Sequence, residues 1–363
     1  MSPQTTALST DPAAVSAIEI AGRRIGPGVP AYLVAEMSCN HGGSFERAVQ
    51  IVRAAKEAGA DAVKIQTYTA DTMTLAADQE HFRIGGGTLW DGRRLHDLYR
   101  EAQTPWEWQP RLKQVADDIG IAFFSTAFDP TAVDFLETLD VPAHKVASFE
   151  IVDFPLIERM AQTGKPLMLS TGMATLEEIQ DAVAVARAAG ATQIALLKCT
   201  SAYPAQPEDM ALRTIPHLAA ACGLPVGLSD HTLGTAVPVA AIALGACMIE
   251  KHVTLSRAIP SADQAFSLEP QEFKAMVEAI RTAEQALGGV RYGAGPREAA
   301  SLRYRRSLFV VSDVKAGEVL TPEHVRSIRP GHGLHTRHLP EVLGKRASRD
   351  IRRGTPLSWD LVA

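Results

Sequence analysis

The stretch PVGLSDHTLGTAVPVAAIALGACMIEKH, residues 225–252, decides the fold. It holds two short apolar runs, and each ends in polar, chemically capable residues. The first closes on Ser229, Asp230 and His231, the second on Glu250, Lys251 and His252. A continuous apolar run of this length, bounded by turn residues, fits a strand buried on both faces of a parallel sheet. Working outward, further runs of the same form precede this pair. They are AYLVAEM (31–37, with Glu36), DAVKIQT (61–67, Lys64 and Gln66), IAFFST (121–126, Ser125 and Thr126) and HKVAS (144–148, Lys145 and Ser148). PLMLST (166–171, Ser170 and Thr171) and IALLKCTS (194–201, Lys198 and Ser201) complete the set. Amphipathic segments such as SFERAVQIVRAAKEAG (44–59) and TLEEIQDAVAVARAAG (175–190) read as helices between them. Eight strand–helix units predict an α/β fold, a (β/α)8 TIM barrel, in which carboxylates, amines, hydroxyls and two imidazoles at the strand ends face one another across one pocket.

The chain has 363 residues, more than the roughly 250 of a typical barrel, so a second, smaller domain is expected. The reading divides the chain into a polar tail (1–16), the barrel (17–288, entered by a hairpin near IEIAGRRIG), a Gly-rich charged linker (289–303) and a small β-rich domain (304–363). One connection, between the second and third strands, is far longer than the rest. It carries Gly85 to Gly87, Trp90, Trp106 and Trp108, and loops of this length are usually functional. A formal net charge of −5 gives no general attraction to nucleic acid or an anionic membrane. Cys39, Cys199, Cys222 and Cys247 form no C-x-x-C pair, which fits a reducing cytoplasm. No segment approaches the roughly 20 apolar residues of a membrane span, and the N-terminus does not read as a signal peptide.

His231 and His252 close neighbouring strands, where side chains at matching heights can share one divalent ion and leave positions open for a substrate. Asp230 and Glu250 are close enough in sequence to orient the two rings. One such histidine alone would be a hydrogen-bonded core residue; two, beside acids and lysines, favour metal. Lys64 and Lys145, with the hydroxyls of Thr126, Ser148, Ser170 and Ser229, need an anion, because unpaired buried charge is expensive. The ligand expected is small and carries several negative charges, such as a phosphorylated carboxylic acid. A Schiff-base lysine, or ion pairs with Glu36 or Glu250, are the competing readings. Glu36 is open between a general acid–base role and a pair with Lys64. Asn40 and His41 stand in a Gly-rich turn and are open between ligand contacts and a turn that needs no function to explain it.

The motifs AEMSCNHGGS, AGADAVKIQTY, KVASFE, STGMAT, LLKCTSAYP, GLSDHTLG, EKHVTL and FSLEP occur in this order and resemble the sialic acid synthase family. RRSLFVVSDVKAGEVLT, IRPGHGL and GKRASRDIRRGTPL resemble the antifreeze-like (SAF) domain that follows the barrel in that family. The resemblance implies a transferase that condenses phosphoenolpyruvate with an open-chain amino sugar to a nine-carbon 2-keto acid. It implies His231 and His252 as ligands of Mn²⁺ or Mg²⁺, and Lys64, Thr126, Lys145, Ser148, Ser170, Ser201 and Ser229 as phosphoenolpyruvate contacts. Gln66, Tyr203, His252 and Asp263 fall where the sugar is held, and Glu36, Lys64, Lys145 and His252 are the implied catalytic set. Arg329 falls on the arginine that one subunit's SAF domain inserts into the other's barrel, so a domain-swapped homodimer is implied. Two departures stand out: Ser201 replaces the Asn that sialic acid synthases tend to have, and SADQ (261–264) replaces the usual G-P-D-H. The Ser201 form, KIQTYTADTMTL and LWDGRRLHDLYREAQTPWEWQ point within the family to a 2,4-diacetamido-2,4,6-trideoxy-altrose substrate. The alternatives are the same chemistry leading to N-acetylneuraminic or legionaminic acid, and a non-catalytic carbohydrate-binding protein. Retention of both histidines, both lysines and Glu36 opposes the last.

Overall fold

The computed structural model describes residues 15–363; the polar tail lies outside the described residues but for its last two positions. Strands β1 (Ile18–Ile20) and β2 (Arg23–Ile25) form the expected hairpin, with Ile18 opposite Ile25. Its two-residue turn, Ala21 and Gly22, has φ of 49° and 75°. That left-handed pair matches the twist of a tight hairpin.

Eight parallel strands then close on themselves. In chain order they are β3 (Tyr32–Glu36), β4 (Ala62–Thr67), β5 (Ala122–Ala127), β6 (His144–Val146), β7 (Leu167–Ser170), β8 (Ile194–Cys199), β9 (Val226–Asp230) and β10 (Met248–His252). Each pairs with its sequence neighbour, and β10 returns to β3. The TIM barrel read from the sequence is the fold. Helices cover it, among them Phe45–Glu57, capped by Ser44 accepting from the Arg47 amide, and Leu176–Ala188, opened by a Thr175–Glu178 capping box. Every residue of β3, β9 and β10 is buried, which is why these runs are continuous rather than alternating in hydrophobicity. A Cβ on Gly227 would lie 2.6 Å from both the Leu197 side chain and the Met248 carbonyl. Only glycine lets β9 pass that close to its neighbours.

Contacts divide the chain into two compact units, one ending at Gly288 and the other Gly289–Ala363. In the second, β11 (Ser307–Val310) pairs antiparallel with β12 (Val325–Ile328), and isolated bridges such as Val314–Ile351 and Val319–Arg346 extend the β structure. It has its own core of Leu308, Val310, Val314, Leu320, Val325, Val342, Ile351 and Leu357. The RPGHG turn (329–333) follows β12, and a Cβ on Gly333 would overlap the Leu308 carbonyl oxygen. Among the described residues no helix is long and apolar enough to cross a membrane.

Candidate active site

Side chains alternate across a strand, so the polar residues that close each barrel strand cannot all face the pocket. Their partners sort them. Lys145 on β6 and Glu250 on β10 stand on strands far apart around the barrel, yet lie 3.8 Å apart, so both point inside. Lys64 joins them, 2.6 Å from Glu36, 3.5 Å from Glu250 and 2.8 Å from the Thr126 hydroxyl. Lys251 and Asp230 point the other way. They form a fully buried ion pair behind the barrel wall, with Lys251 also donating to the Thr232 carbonyl. Ser125 turns outward to Thr67, which in turn contacts Gln109 of the covering helix Gln109–Ile119. Lys198 caps its own strand end, donating to Thr200 and to the Cys199 carbonyl. The expectation that all these groups share one pocket is corrected for these four.

The inward set is two lysines and two carboxylates at full burial. Burial pushes the Glu36 carboxyl up to about 7, with Lys64 working against the shift. Glu250 goes the other way, because Lys145 and Lys64 outweigh the burial penalty and hold it ionised. Burial lowers the Lys145 pKa, while at Lys64 the two glutamates overcome burial and raise it. Glu36 Oε1 and Glu250 Oε2 have no hydrogen-bond partner among the described residues. Glu250 thus joins the site through the lysine ion pairs that the sequence offers as a competing reading, and not as an orienter of the histidines. The signal was available: it lies two residues before His252 on the same strand, hence on the same face.

The hydroxyls follow the lysines. Lys145 donates to Ser170 at 2.7 Å, Ser229 donates to Glu250 at 3.2 Å, and Ser148 accepts from the Gly172 amide at 3.2 Å. A Cβ on Gly172 would overlap Ser201 Oγ and lie 2.7 Å from Ser148 Oγ. Ser148 and Ser201 therefore converge on one glycine, beside the cations, in a cradle that any larger residue would fill. Thr126, Ser148, Ser170 and Ser229 are all buried, and Gln66 is half-buried on β4.

His231 and His252 do meet, with ring centroids 5.4 Å apart. His231 Nδ1 lies 2.9 Å from the Thr200 carbonyl, so Nδ1 carries the proton, and in the neutral ring Nε2 keeps its lone pair. Burial works against charge on His231, but the Cys199 sulfur and that carbonyl outweigh it and raise its pKa. His252 is driven well below the usual histidine range by burial, then by His231 and the nearby lysines, and is neutral. Its Nδ1 is 3.4 Å from the Asp263 carboxylate and has no hydrogen-bond partner among the described residues. The Thr200 carbonyl orients the His231 ring, and Asp263 stands beside His252 without a hydrogen bond to it; Asp230 and Glu250, expected to orient the rings, are committed to lysines instead. An orphaned ring nitrogen and a second imidazole, with the half-buried Asp263 carboxylate nearby, are donor types that suit a divalent ion. Among the described residues no group of three or more metal-ligating side chains is assembled. The pair would leave most coordination positions to substrate and water.

An aromatic wall borders the histidines. Tyr203 lies 4.4 Å from His231 and 5.3 Å from Phe266, ring centre to centre, and Phe266 is 5.0 Å from His252. Arg329 is exposed at the end of β12 in the second unit. Asn40 and His41 are structural. Asn40 ties Val253, Ser267 and Ser261 together, and His41 spans the Gly43 amide and Thr104 with its edge on Trp108.

Residues 51–292 match the NeuB family and residues 305–363 the SAF domain. The pseudaminic acid synthase of Campylobacter jejuni is 45% identical over 326 residues, covering 90% of this chain and 95% of its own. That of Helicobacter pylori is 44% identical over 332 residues, covering 91% and 97%. A crystal structure of the N-acetylneuraminic acid synthetase of Leptospira borgpetersenii in complex with citrate superposes with a TM-score of 0.71 at 28% identity, covering 79% of this chain and 95% of that one.

Proposed function

The chain belongs to the NeuB family and carries a SAF domain, and we propose on that footing that it is a pseudaminic acid synthase. It condenses phosphoenolpyruvate with 2,4-diacetamido-2,4,6-trideoxy-altrose and releases phosphate. The family membership makes it a transferase. The observation that carries the chemistry is the pair of buried lysines, Lys64 and Lys145, sharing one buried carboxylate, Glu250, beside an imidazole pair. Two cations converging on one small space suit a ligand that brings both a carboxylate and a phosphate. Thr126, Ser148, Ser170, Ser201 and Ser229 add neutral donors that hold those groups while charge shifts between them.

His231 and His252 are the residues that would hold Mn²⁺ or Mg²⁺, and a Lewis acid there supplies polarisation of the sugar's C1 aldehyde. Gln66, Tyr203 and Asp263 position the sugar chain against the methylene carbon of phosphoenolpyruvate, which forms the new bond to C1. The electron pair leaves C2 cationic in character, water adds there, and C–O cleavage expels phosphate. Glu36 serves the proton transfers. With a pKa of about 7 it is divided between its two forms at neutral pH, so it can take a proton from the attacking water or give one to the developing alkoxide.

The architecture belongs to the same proposal. Residues 17–288 are the catalytic barrel, 289–303 a linker and 304–363 the SAF domain, which contributes Arg329 to the barrel of a second copy in a domain-swapped homodimer. Mixing two inactive variants, Arg329→Ala and His252→Ala, then restores activity, with about a quarter of sites intact after random exchange in a two-fold dimer. The four cysteines are free, which fits the reducing cytoplasm.

One incubation tests the assignment: phosphoenolpyruvate, Mn²⁺ and a panel of acetamido sugars, followed by phosphate release. The trideoxy sugar is expected to exceed N-acetylmannosamine by about 10²-fold in kcat/KM, and chelation or His231→Ala to abolish turnover. Comparable kcat/KM for the two sugars would remove the pseudaminic assignment and leave only the family.

A further inference from the structure

Trp90 is brought to the aromatic wall by the long insert between β4 and the helix Gln109–Ile119. The insert folds there into a short tongue. Ile84 and Arg93 are joined by a backbone hydrogen bond, Gly92 donates back to Ile84, and Arg83 bridges Arg94 in antiparallel fashion. The tip is closed by Asp91, whose carboxylate accepts from the Gly87 and Thr88 amides at 2.8 Å and from the Thr88 hydroxyl at 2.7 Å. Trp90, half-buried at that tip, lies 5.9 Å from Tyr203, ring centre to centre, with planes inclined by 52°. Tyr203 in turn contacts His231 at 4.4 Å. The wall therefore runs without a break from the imidazole pair outward to Trp90.

We propose that Trp90 reads the C6 end of the sugar and selects the deoxy (methyl) form over the hydroxymethyl form. The inference rests on the proposed substrate, whose C1 stands at the imidazole pair. An extended six-carbon chain spans about 6 Å from C1 to C6, five bonds of about 1.5 Å with tetrahedral zigzag. Along the wall Tyr203 stands 4.4 Å from His231 and the Trp90 ring centre 5.9 Å beyond Tyr203, so a chain of that span passes Tyr203 and leaves its C6 group at van der Waals contact distance, about 4 Å, from the Trp90 ring. A methyl group there gains apolar contact with an indole face. A hydroxymethyl group in the same place gives up water for a ring that offers its oxygen no acceptor on that face, and a buried hydroxyl without a partner is costly. The selectivity is of the modest kind that an apolar surface can supply, about 10- to 200-fold.

The test compares kcat/KM for the trideoxy sugar and for its 6-hydroxy counterpart, 2,4-diacetamido-2,4-dideoxy-altrose, which differs from it at C6 alone, in the wild type, Trp90→Ala and Trp90→Phe, with the KM for phosphoenolpyruvate as a control. In Trp90→Ala the trideoxy sugar is expected to lose about 10- to 100-fold while the 6-hydroxy counterpart changes by less than about 3-fold, so the preference collapses. Trp90→Phe keeps most of the preference, and the KM for phosphoenolpyruvate stays put in both. Equal losses for the two sugars would mean that Trp90 only props up Tyr203, and the inference falls. A wild-type preference that survives in Trp90→Ala overturns it as well. A wild type that does not distinguish the sugars overturns the substrate reading, and this inference with it.

Discussion

The strands β9 and β10 carry charged groups on both of their faces, and the two faces behave differently. On the outer face Asp230 and Lys251 form an ion pair with no exposed side-chain surface. Lys251 also donates to the Thr232 carbonyl, and Asp230 also accepts from the Thr232 amide and hydroxyl. On the inner face Glu250 stands between Lys64 and Lys145, nearly as buried, yet one of its oxygens and one of Glu36 find no donor among the described residues. Both arrangements bear the same large desolvation cost. Where every lone pair is met, the pair ties two strands together and nothing more is required of it. Where cations and carboxylates crowd one space with oxygens to spare, the protein's own groups do not saturate one another.

The sharpest way to break the contrast is to remove a cation from each face. Lys64→Met or Lys145→Met is expected to lower kcat/KM for phosphoenolpyruvate at least about 10³-fold, read by phosphate release. The melting temperature should move less than for the outer pair, since Glu36 takes up a proton readily near neutrality. Lys251→Met strands the Asp230 carboxylate behind the barrel wall and should cost about 3–5 kcal/mol in denaturant unfolding. Combining it with Asp230→Leu should recover most of that loss, since a saturated ion pair exchanges for apolar contact at little net cost. Failure of the double variant to recover would mean that the outer pair does more than hold the strands.

Glu36→Gln sharpens the comparison from the carboxylate side, with a loss of about 10²-fold in kcat. The raised pKa of Glu36 also makes a stability prediction. The folded protein prefers the protonated carboxyl, so this contribution is present in full below pH 4.5 and is lost as pH rises toward 7. Glu36→Gln should flatten that slope in urea titrations taken between pH 4.5 and 7. The smallest effect belongs to His41, a buried histidine of the structural kind. His41→Ala should cost about 1–3 kcal/mol, by loss of its bonds to Gly43 and Thr104, with kcat unchanged. Burial holds its pKa down to about 4, so its contribution is present above pH 6.5 and is lost as pH falls toward 4. The variant should lack that acid-side loss.

Legibility in the sequence followed the range of the interactions involved. Each barrel strand announces itself in a local run such as VGLSD or MIEKH, because burial on both faces demands an apolar residue at nearly every position. The histidines, Lys64, Lys145 and the hydroxyls could be named as candidates because they close such runs. For Glu250 the sequence leaves two partners open, a neighbouring histidine or a lysine, and the partners that meet it arrive from β4 and β6. Asp230, Lys198, Ser125 and Lys251 close such runs too, and only their faces put them outside the pocket.

The sequence by itself determined the barrel, the SAF domain and the residue types that stand at the strand ends, because runs, caps and motifs are written within a few neighbouring positions. Only the tertiary structure decided which of those residues meet. A strand's alternation sets the relative phase of its side chains, but which phase faces inward depends on pairing with strands distant in the chain. Lys145 and Glu250, or Trp90 and Tyr203, are more than a hundred residues apart, and only closure of the barrel brings each pair together.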